Sequence, residues 1–389
     1  MRRLVTFFGV FGLMPILCWG QLDTSFRVHA GLMIGQNAGA LGEIIELIND
    51  DFLDDSEKDR FLNQLPQNTR TGFFSTIEVS VPVKGLSVYV GTQQLQSIQF
   101  SDDLANLALK GNAHRINVWW DLGSSSVELN RMSWLGLEKQ WVTPQLNLTA
   151  GLGLYTGHQA FRWRGQNTHL YSDSTAAFAL LTGANSWQKV SSNPLAGLGL
   201  GLSIDTKWKS ADRGWKADVS LRHLGAMLWF NGPESGQLMG SDTLSFTGIF
   251  IDNIIQWDPE ENELMDSLNS QYTSRDSTAF LQSLNSPFRF SLYREISSWV
   301  VGVRAEYITQ SLMQPRTGIV VQKDLGRGNQ WIEAFVYSGG FEPWGIQLAY
   351  SIEKENWSGT LHAQQIQSLI PSQMRGGGLW LTFRKKLHP

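Results

Sequence analysis

The feature that most constrains this chain is a strict alternation of side-chain types over long segments. In PWGIQLAYSIEKENWSGTLHAQQ, residues 343–365, the large apolar side chains before the turn share one parity: Trp344, Ile346, Leu348, Tyr350 and Ile352. A period of two indicates a β-strand, because successive Cβ atoms point to opposite faces. The tripeptide KEN at 354–356 is a polar turn between two such halves, so the segment is predicted to be a β-hairpin.

The alternation recurs along most of the chain and is interrupted by turns at hairpin spacing. It is seen in LNLTAGLGLY, GLGLGLSIDTKW, WKADVSLR, WVVGVRAEY and LWLTFRK. We expect about fourteen strands of about 9 to 13 residues, close to the length of strands that cross a bacterial outer membrane at a tilt. Strands of soluble proteins are shorter, about 5 or 6 residues. The predicted fold is therefore all-β: an antiparallel transmembrane β-barrel with a short N-terminal helical insert.

The first 20 residues have the pattern of a secretory signal peptide. Arg2 and Arg3 precede an apolar run over residues 4–17, and cleavage is expected after Gly20. The run is shorter than the ~20 residues that a membrane-spanning helix needs. Cys18 is the only cysteine of the chain, so the mature protein is expected to contain neither disulfides nor thiolate metal sites.

Export and the absence of a long apolar run together restrict where the mature chain resides. No later window has 18 uninterrupted apolar residues, and only helices and closed barrels satisfy every backbone group in lipid. We therefore expect residues 21–389 to form one barrel domain in the cell outer membrane, with outer-membrane lipid and the barrel assembly machinery as partners. The 31 basic and 35 acidic residues give a net charge of −4, so nucleic acid is not an expected partner.

Tryptophans that directly follow turns are predicted to mark the two lipid–water boundaries. This set is Trp215, Trp299, Trp331, Trp344 and Trp357. Polar and charged residues of the opposite parity are predicted to line the lumen, and these are Lys216, Asp218, Arg222, Arg304, Glu306, Gln347 and His362. A soluble barrel would turn the same polar residues to solvent instead.

Two regions depart from the alternation. Residues 39–66 are predicted to form two short amphipathic helices. We expect these helices in the lumen or at its periplasmic mouth. Residues 231–286 are rich in Ser, Asn and Asp and are predicted to form long loops around a weak strand. A further helical turn is expected in DDLANLALKGN, near Leu104.

The sequence contains few candidates for chemistry, and we expect no cofactor and no metal. The seven histidines do not cluster, and the acidic stretch NDDFLDD lacks the glycine and the terminal glutamate of a calcium loop. A serine–histidine hydrolase in the outer membrane is conceivable, with His158, His223 or His362 as the base. Sequence alone pairs none of the three with a serine, so the chain is expected not to be an enzyme.

The order of the elements resembles a known group of barrels. The segments that carry the resemblance are FRVHAGLMIG, NAGALGEIIELI, SEKDRFLNQL, GLSVYVGTQ, FSDDLANLALKGNA, MSWLGLEKQWVTPQLNLTAGLGLYTGHQA and the closing LHAQQIQSLIPSQMRGGGLWLTFRKKL. They are similar to the Bacteroidota outer-membrane barrels of unknown function related to gliding-motility and type IX secretion barrels, and more distantly to fatty-acid-transporter-like barrels. The resemblance implies an outer-membrane location and supplies no catalytic residue.

Three functional classes remain open from the sequence. The first is a non-enzymatic envelope component that docks periplasmic or surface proteins. The second is a transporter or pore for a small solute, apolar solutes included. The third is an outer-membrane enzyme. The most informative single observation would be whether the lumen is open, plugged or lined by a hydrophobic channel.

Overall fold

A computed structural model describes residues 25–37, 54–111, 115, 117–172, 179–190, 192–211, 214–231, 233–238, 243–246, 275–276, 279–309, 311, 313–325, 330–340, 344–366 and 376–387. The predicted signal peptide lies outside these residues. In chain order the elements are β1 (Ser25–Gln36), α1 (Asp55–Gln64), β2 (Asn68–Val83), β3 (Leu86–Ser101), α2 (Asp102–Lys110), β4 (Val118–Asp121), β5 (Ser126–Val142), β6 (Leu146–Ser172), β7 (Ala179–Val190), β8 (Gly197–Lys209), β9 (Trp215–Trp229), β10 (Pro233–Leu238), β11 (Thr243–Phe246), β12 (Arg275–Asp276), β13 (Phe280–Ser283), β14 (Pro287–Ile296), β15 (Trp299–Ile308), β16 (Arg316–Asp324), β17 (Gln330–Ser338), β18 (Trp344–Glu353), β19 (Trp357–Gln364) and β20 (Gly376–Lys386).

Fourteen of these strands close into one antiparallel barrel, as the alternation predicts. Around the wall the order is β1, β2, β3, β5, β6, β8, β9, β14, β15, β16, β17, β18, β19 and β20. The first strand pairs with the last, from Ser25 opposite Lys386 to Gly35 opposite Gly376, so the fourteen described strands of the wall close on themselves without a free edge. The all-β transmembrane barrel of about fourteen strands is confirmed.

The two ends of the barrel differ in the length of their connections. At one end, here called the turn end, β1 begins, β20 finishes and short turns join the strands, such as the turn at Lys84 and Gly85. At the opposite loop end the connections are longer and carry α1, α2 and the additional strands. Bacterial barrels have short periplasmic turns and longer extracellular loops, so this asymmetry fixes the expected orientation.

The outer face of the wall is an apolar belt and the inner face is mixed. On β8, Leu198, Leu200 and Leu202 point outward and are 48 %, 58 % and 51 % exposed, whereas Ser203 on the other parity is buried. In a soluble barrel such a surface would be an unusually large apolar patch. Exposed leucines beside buried polar residues reverse the usual burial pattern, because lipid rather than water is the outer solvent.

The wall is longer on one side than on the other. Strands β2, β3, β5 and β9 have 16, 16, 17 and 15 residues, and β6 has 27, beyond the predicted length. Near the loop end β4 and β7 pair with β6, and β10 and β11 pair with β7. The predicted loop region 231–286 thus contains short strands, and its remaining residues, 247–274 among them, lie outside the described ranges.

Only part of the predicted helical insert 39–66 falls within the described residues. Its second helix is α1, which begins at a capping box: Asp54 accepts from the backbone N–H of Glu57, and the Glu57 carboxylate accepts from the Asp54 N–H. The first helix falls on residues 38–53, outside the described ranges. Helix α1 lies at the loop end, next to α2 and joined to it by the Lys110–Asp59 ion pair. Both of the strands that this helix connects meet it at the loop end. Its placement in the lumen or at the periplasmic mouth stays a prediction.

Helix α2 confirms the helical turn predicted near Leu104. Ser101 caps its first turn, and Gly111, at φ 74°, ends it in a conformation that favours glycine. In the described part of the chain, no helix is long and apolar enough to cross a membrane.

Candidate functional site: the barrel interior

All seven residues proposed from the sequence to line the lumen have inward-facing positions. They alternate with outward apolar side chains on β9, β15, β18 and β19. Two of them, Arg222 and Arg304, are the centres of separate ion-pair networks. Near the turn end Lys216 pairs with Glu295. Closer to the loop end, Gln347 lies 3.0 Å from the Nδ1 atom of His362.

The first network, here called the Arg222 network, joins strands that are not neighbours in the wall. From β9, Arg222 reaches Glu78 on β2 at 3.3 Å, Glu138 on β5 at 2.8 Å and Asp205 on β8 at 2.5 Å. Arg27 on β1 reaches the second oxygen of Glu138 at 2.8 Å. Two guanidinium groups and three carboxylates therefore bridge the lumen from one side to the other.

The Arg304 network lies on the opposite side of the wall. Arg304 holds both oxygens of Glu333 at 2.7 and 2.8 Å, and its third contact is a 2.9 Å hydrogen bond to the hydroxyl of Tyr293. Glu306 pairs with Arg316 at 3.2 Å. The planar guanidinium forks match the carboxylates, and they also lie over the rings of Phe335 and Tyr337.

An aromatic layer covers the inner wall of β3, β5, β6 and β9. Its buried members are Tyr89, Trp134, Tyr155 and Trp229, joined by Met132, Met227 and Leu284. Inward glycines of neighbouring strands make room for the rings: a Cβ on Gly136 would lie 2.3 Å from Tyr89, and one on Gly157 would lie 2.4 Å from Trp229. The layer thus depends on the Gly-rich sequence of these strands.

The aromatic layer and the Arg222 network share hydrogen bonds. The indole N–H of Trp134 donates to Glu78 at 3.1 Å, and the ring of Trp134 lies 4.4 Å from that of His223. The hydroxyl of Tyr155 lies 2.6 Å from Nδ1 of the same histidine. Apolar and ionic parts of the interior are therefore one connected structure.

A second apolar contact crosses the lumen near the loop end. Ile308, at the end of β15, and Met313 pack against Met33, Phe74 and Leu95 on β1, β2 and β3. These strands lie on opposite sides of the barrel. Closer to the turn end, the inward side chain of Arg289 is exposed, so protein does not fill the interior completely at that level.

The five predicted boundary tryptophans divide between the two faces and the two rims. Trp299, Trp344 and Trp357 point outward and are 43 %, 51 % and 40 % exposed. Trp215 also has outward parity, and Arg294 lies over its ring. The prediction that Trp331 contacts lipid is wrong, because Trp331 shares the inward parity of Glu333, whereas Ile332 faces out. Trp344 is at the loop end and the others are at the turn end.

Sequence reasoning missed several residues of the interior, chiefly Arg27, Glu78, Glu138 and Glu333. The available signal was a charged residue at inward parity in a strand whose other face is apolar, as at Glu78 between Ile77 and Val79. Among the described residues, no group of three His, Cys, Asp or Glu side chains is arranged to hold a metal ion.

Solved structures of outer-membrane barrels are similar to the chain over nearly its whole length. The toluene transporter TodX of Pseudomonas putida is 9 % identical, with a TM-score of 0.41 over 94 % of this chain and 91 % of that one. The toluene transporter TbuX of Ralstonia pickettii is 6 % identical, with a TM-score of 0.43 over 94 % and 90 %. The translocator domain of the autotransporter NalP from Neisseria meningitidis is 7 % identical, with a TM-score of 0.31 over 99 % and 96 %.

The family comparison gives a more direct result than the solved structures. No curated protein matches the sequence. One family model matches residues 26–356, which include β1 through β18. The chain therefore belongs to the family of unknown function DUF5723.

Proposed function

We propose that this protein is an outer-membrane envelope component that docks other envelope proteins and does not serve as an open diffusion pore. The observation that carries the proposal is the Arg222 network, because its ion pairs connect β9 to β2 and β5 across the lumen. An open porin needs a continuous water-filled path, and a bridge between non-adjacent strands obstructs it. The apolar contact of Ile308 and Met313 with β1–β3 is a second obstruction, closer to the loop end.

The orientation and location belong to the same proposal. The signal peptide predicted over residues 1–20 exports the chain, and the apolar belt inserts it into the outer membrane with the turn end in the periplasm. The sheet formed by β4, the end of β6, β7, β10 and β11 then stands on the cell surface as a platform for a partner. The sequence resembles gliding-motility and type IX secretion barrels, so envelope proteins of such systems are the first partners to test.

Planar-bilayer recording tests the closed lumen. The wild-type barrel should show no steady conductance. The substitutions Arg222→Ala and Arg27→Ala, which remove both cations of the network, should produce resolved openings when they are combined with Ile308→Ala and Met313→Ala, which remove the second obstruction. A matched control is Lys216→Ala, which removes an inward cation near the turn end without touching the bridge. Steady wild-type conductance of the size seen for open porins would refute the proposal.

Transport of a small apolar solute is the second candidate function. The observation in its favour is the aromatic layer of Tyr89, Trp134, Tyr155 and Trp229, whose buried rings make this part of the barrel interior apolar. If this function holds, an apolar fluorescent probe should bind the folded barrel in detergent-free vesicles, and Trp134→Ala should weaken binding at least tenfold. The envelope-component proposal predicts instead that the variant and the wild type bind the probe equally weakly.

A further inference from the structure

A serine and a histidine meet on the outer face of the barrel wall. The Oγ atom of Ser133 on β5 lies 2.8 Å from Nε2 of His158 on β6, and Nδ1 of His158 lies 3.0 Å from the carbonyl oxygen of Pro194. Ser133 points outward, because Met132 and Trp134 on either side of it are buried in the lumen and Leu135 is exposed. The pair therefore faces lipid rather than the barrel interior.

The hydrogen-bond partners define the state of the imidazole. A backbone carbonyl can only accept a hydrogen bond, so Nδ1 of His158 must carry the proton that it shares with Pro194. In the neutral ring Nε2 then has a free lone pair, and the Ser133 hydroxyl must be the donor to it. This is the arrangement of an activated serine: hydroxyl to imidazole, and imidazole to an orienting acceptor.

Local backbone structure holds the three groups in place. The register of β5 and β6 shifts between Arg131 and Met132, so that His158 is an extra residue with no partner opposite it. Such a β-bulge re-aims a side chain. The Asn193 N–H donates to the His158 carbonyl, and the Ala196 N–H donates to the Gly157 carbonyl, each at 2.8 Å. These two bonds fix the segment that presents the Pro194 carbonyl.

The pair lies at the loop-end margin of the apolar belt. Trp141, under the amine of Lys139, marks the turn-end margin on the same strand, and Ser133 is about 26 Å further along at about 3.3 Å per residue. For a strand tilted by about 40°, this is about 20 Å of membrane depth, close to the ~25 Å height of the apolar band of a barrel. On the outer face of β5, the exposed Leu135 lies on one side of Ser133 and the exposed Arg131 on the other.

We propose that Ser133 and His158 form the catalytic pair of an acyl-ester hydrolase that acts on glycerophospholipids in the leaflet at the loop end. The acyl ester of such a lipid lies between the hydrocarbon and the head group, at the depth of this pair. Arg131, two residues from Ser133 on the same face, is positioned for the lipid phosphate, which lies further from the hydrocarbon than the ester.

The reaction needs only water as a second substrate. The Ser133 oxygen attacks the ester carbonyl carbon while its proton moves to Nε2 of His158. The tetrahedral intermediate breaks its bond to the glycerol oxygen, which takes the proton from His158, and an acyl-serine remains. Water then attacks the acyl carbon with His158 as the base, the bond to Ser133 breaks, and the serine regains its proton. The products are a fatty acid and a lysophospholipid.

The test uses the full chain folded in vesicles of phosphatidylethanolamine and phosphatidylglycerol that contain a phospholipid with a fluorescent acyl chain. Wild type should release the labelled fatty acid, and an alkyl fluorophosphonate should attach covalently to Ser133, as located by mass spectrometry of peptides. Ser133→Ala should abolish both signals, and His158→Asn should lower them at least about a hundredfold. Arg131→Gln should raise KM for anionic phospholipid with little change in kcat.

Controls keep a folding defect apart from a catalytic one. Ser75→Ala removes another outward serine, on β2, and should leave release and labelling unchanged. Each variant is first shown to be folded by its heat-modifiable mobility in gels. Fatty-acid release that persists in Ser133→Ala, or a folded wild-type barrel whose Ser133 does not react with the fluorophosphonate, would overturn the proposal. Neither result depends on whether the lumen conducts ions.

Discussion

The Arg304–Glu333 pair offers a quantitative test of how the interior is stabilised. The side chains of Arg304 and Glu333 are 3 % and 2 % exposed and share two hydrogen bonds of 2.7 and 2.8 Å. Replacing Arg304 with methionine leaves the buried Glu333 carboxylate with the amide of Gln322, at 2.5 Å, as its remaining side-chain partner. Replacing Glu333 with methionine leaves the guanidinium with the hydroxyls of Tyr293 and Ser291, at 2.9 and 3.3 Å, and with Glu306 at 3.9 Å.

The expected magnitudes follow from this inventory. Removing one partner of a buried ion pair costs about 3–5 kcal/mol, because the other charge stays buried without compensation. Since Gln322 and Tyr293 remain as hydrogen-bond partners, each single variant should lose about 3 kcal/mol, at the lower end of that range. The double variant leaves no isolated charge and should lose no more than about 3 kcal/mol in total, which gives a coupling energy of about 3 kcal/mol.

Urea unfolding in lipid vesicles, followed by tryptophan fluorescence and by gel mobility, measures the three free energies of unfolding. A matched control cycle uses Lys216→Met and Glu295→Met, a pair nearer the turn end whose side chains are 36 % and 32 % exposed. Its coupling should stay below about 1 kcal/mol, as for other pairs exposed to water. If the Arg304 and Glu333 losses add to about 6 kcal/mol in the double variant, the two side chains do not act as a buried pair and the reasoning fails.

Three further outcomes are expected. The folded protein should fractionate with the outer membrane and change its gel mobility on heating; recovery as a soluble periplasmic monomer would contradict the barrel. Val303→Arg, on the lipid face at mid-strand, should lower the free energy of unfolding by about 2–4 kcal/mol in urea titrations. Asp218→Arg, on the lumen face and partly exposed, should lower it clearly less. Equal losses would mean that the two faces are misassigned. Gly136→Ala places a methyl group 2.3 Å from the Tyr89 ring and should lower the free energy of unfolding by about 1–3 kcal/mol. Gly377→Ala meets no atom within 4 Å and should change the free energy of unfolding by less than about 0.5 kcal/mol. A loss of similar size in both variants would exclude displacement of the Tyr89 ring as the cause.

Much of the fold could be predicted because the signal for a barrel strand is local. Alternation within a few residues of Leu200 or Leu348 determines both the strand and its two faces, and the outward leucines of β8 have the expected exposure. Trp331 shows the limit of such reasoning. Its position just after a turn indicates its height in the membrane, but only the parity of its strand shows that it points inward.

The contacts inside the barrel could not be predicted in the same way. The depth of a side chain in the lumen depends on strand tilt and register, which are set by pairings distant in sequence. A β-bulge adds a second difficulty: Arg222 and His223 are consecutive, and both face the lumen, because the register of β8 and β9 shifts there and His223 adopts φ 58°. Bulges also explain why the sequence could not pair His158 with Ser133, which lies 25 residues away.

Lipid accessibility along β8 tests the central claim, a barrel with lipid outside and a filled interior, most directly. Single-cysteine variants at positions 198–204 are made in the mature chain, residues 21–389, which contains no cysteine of its own. They are spin-labelled in vesicles and probed with oxygen and with a water-soluble nickel complex. Labels at Leu198, Leu200 and Leu202 should be accessible to oxygen, and labels at the intervening residues should be immobile and protected from oxygen. Accessibility to oxygen without a period of two, or accessibility of the leucine positions to the nickel complex, would contradict the account.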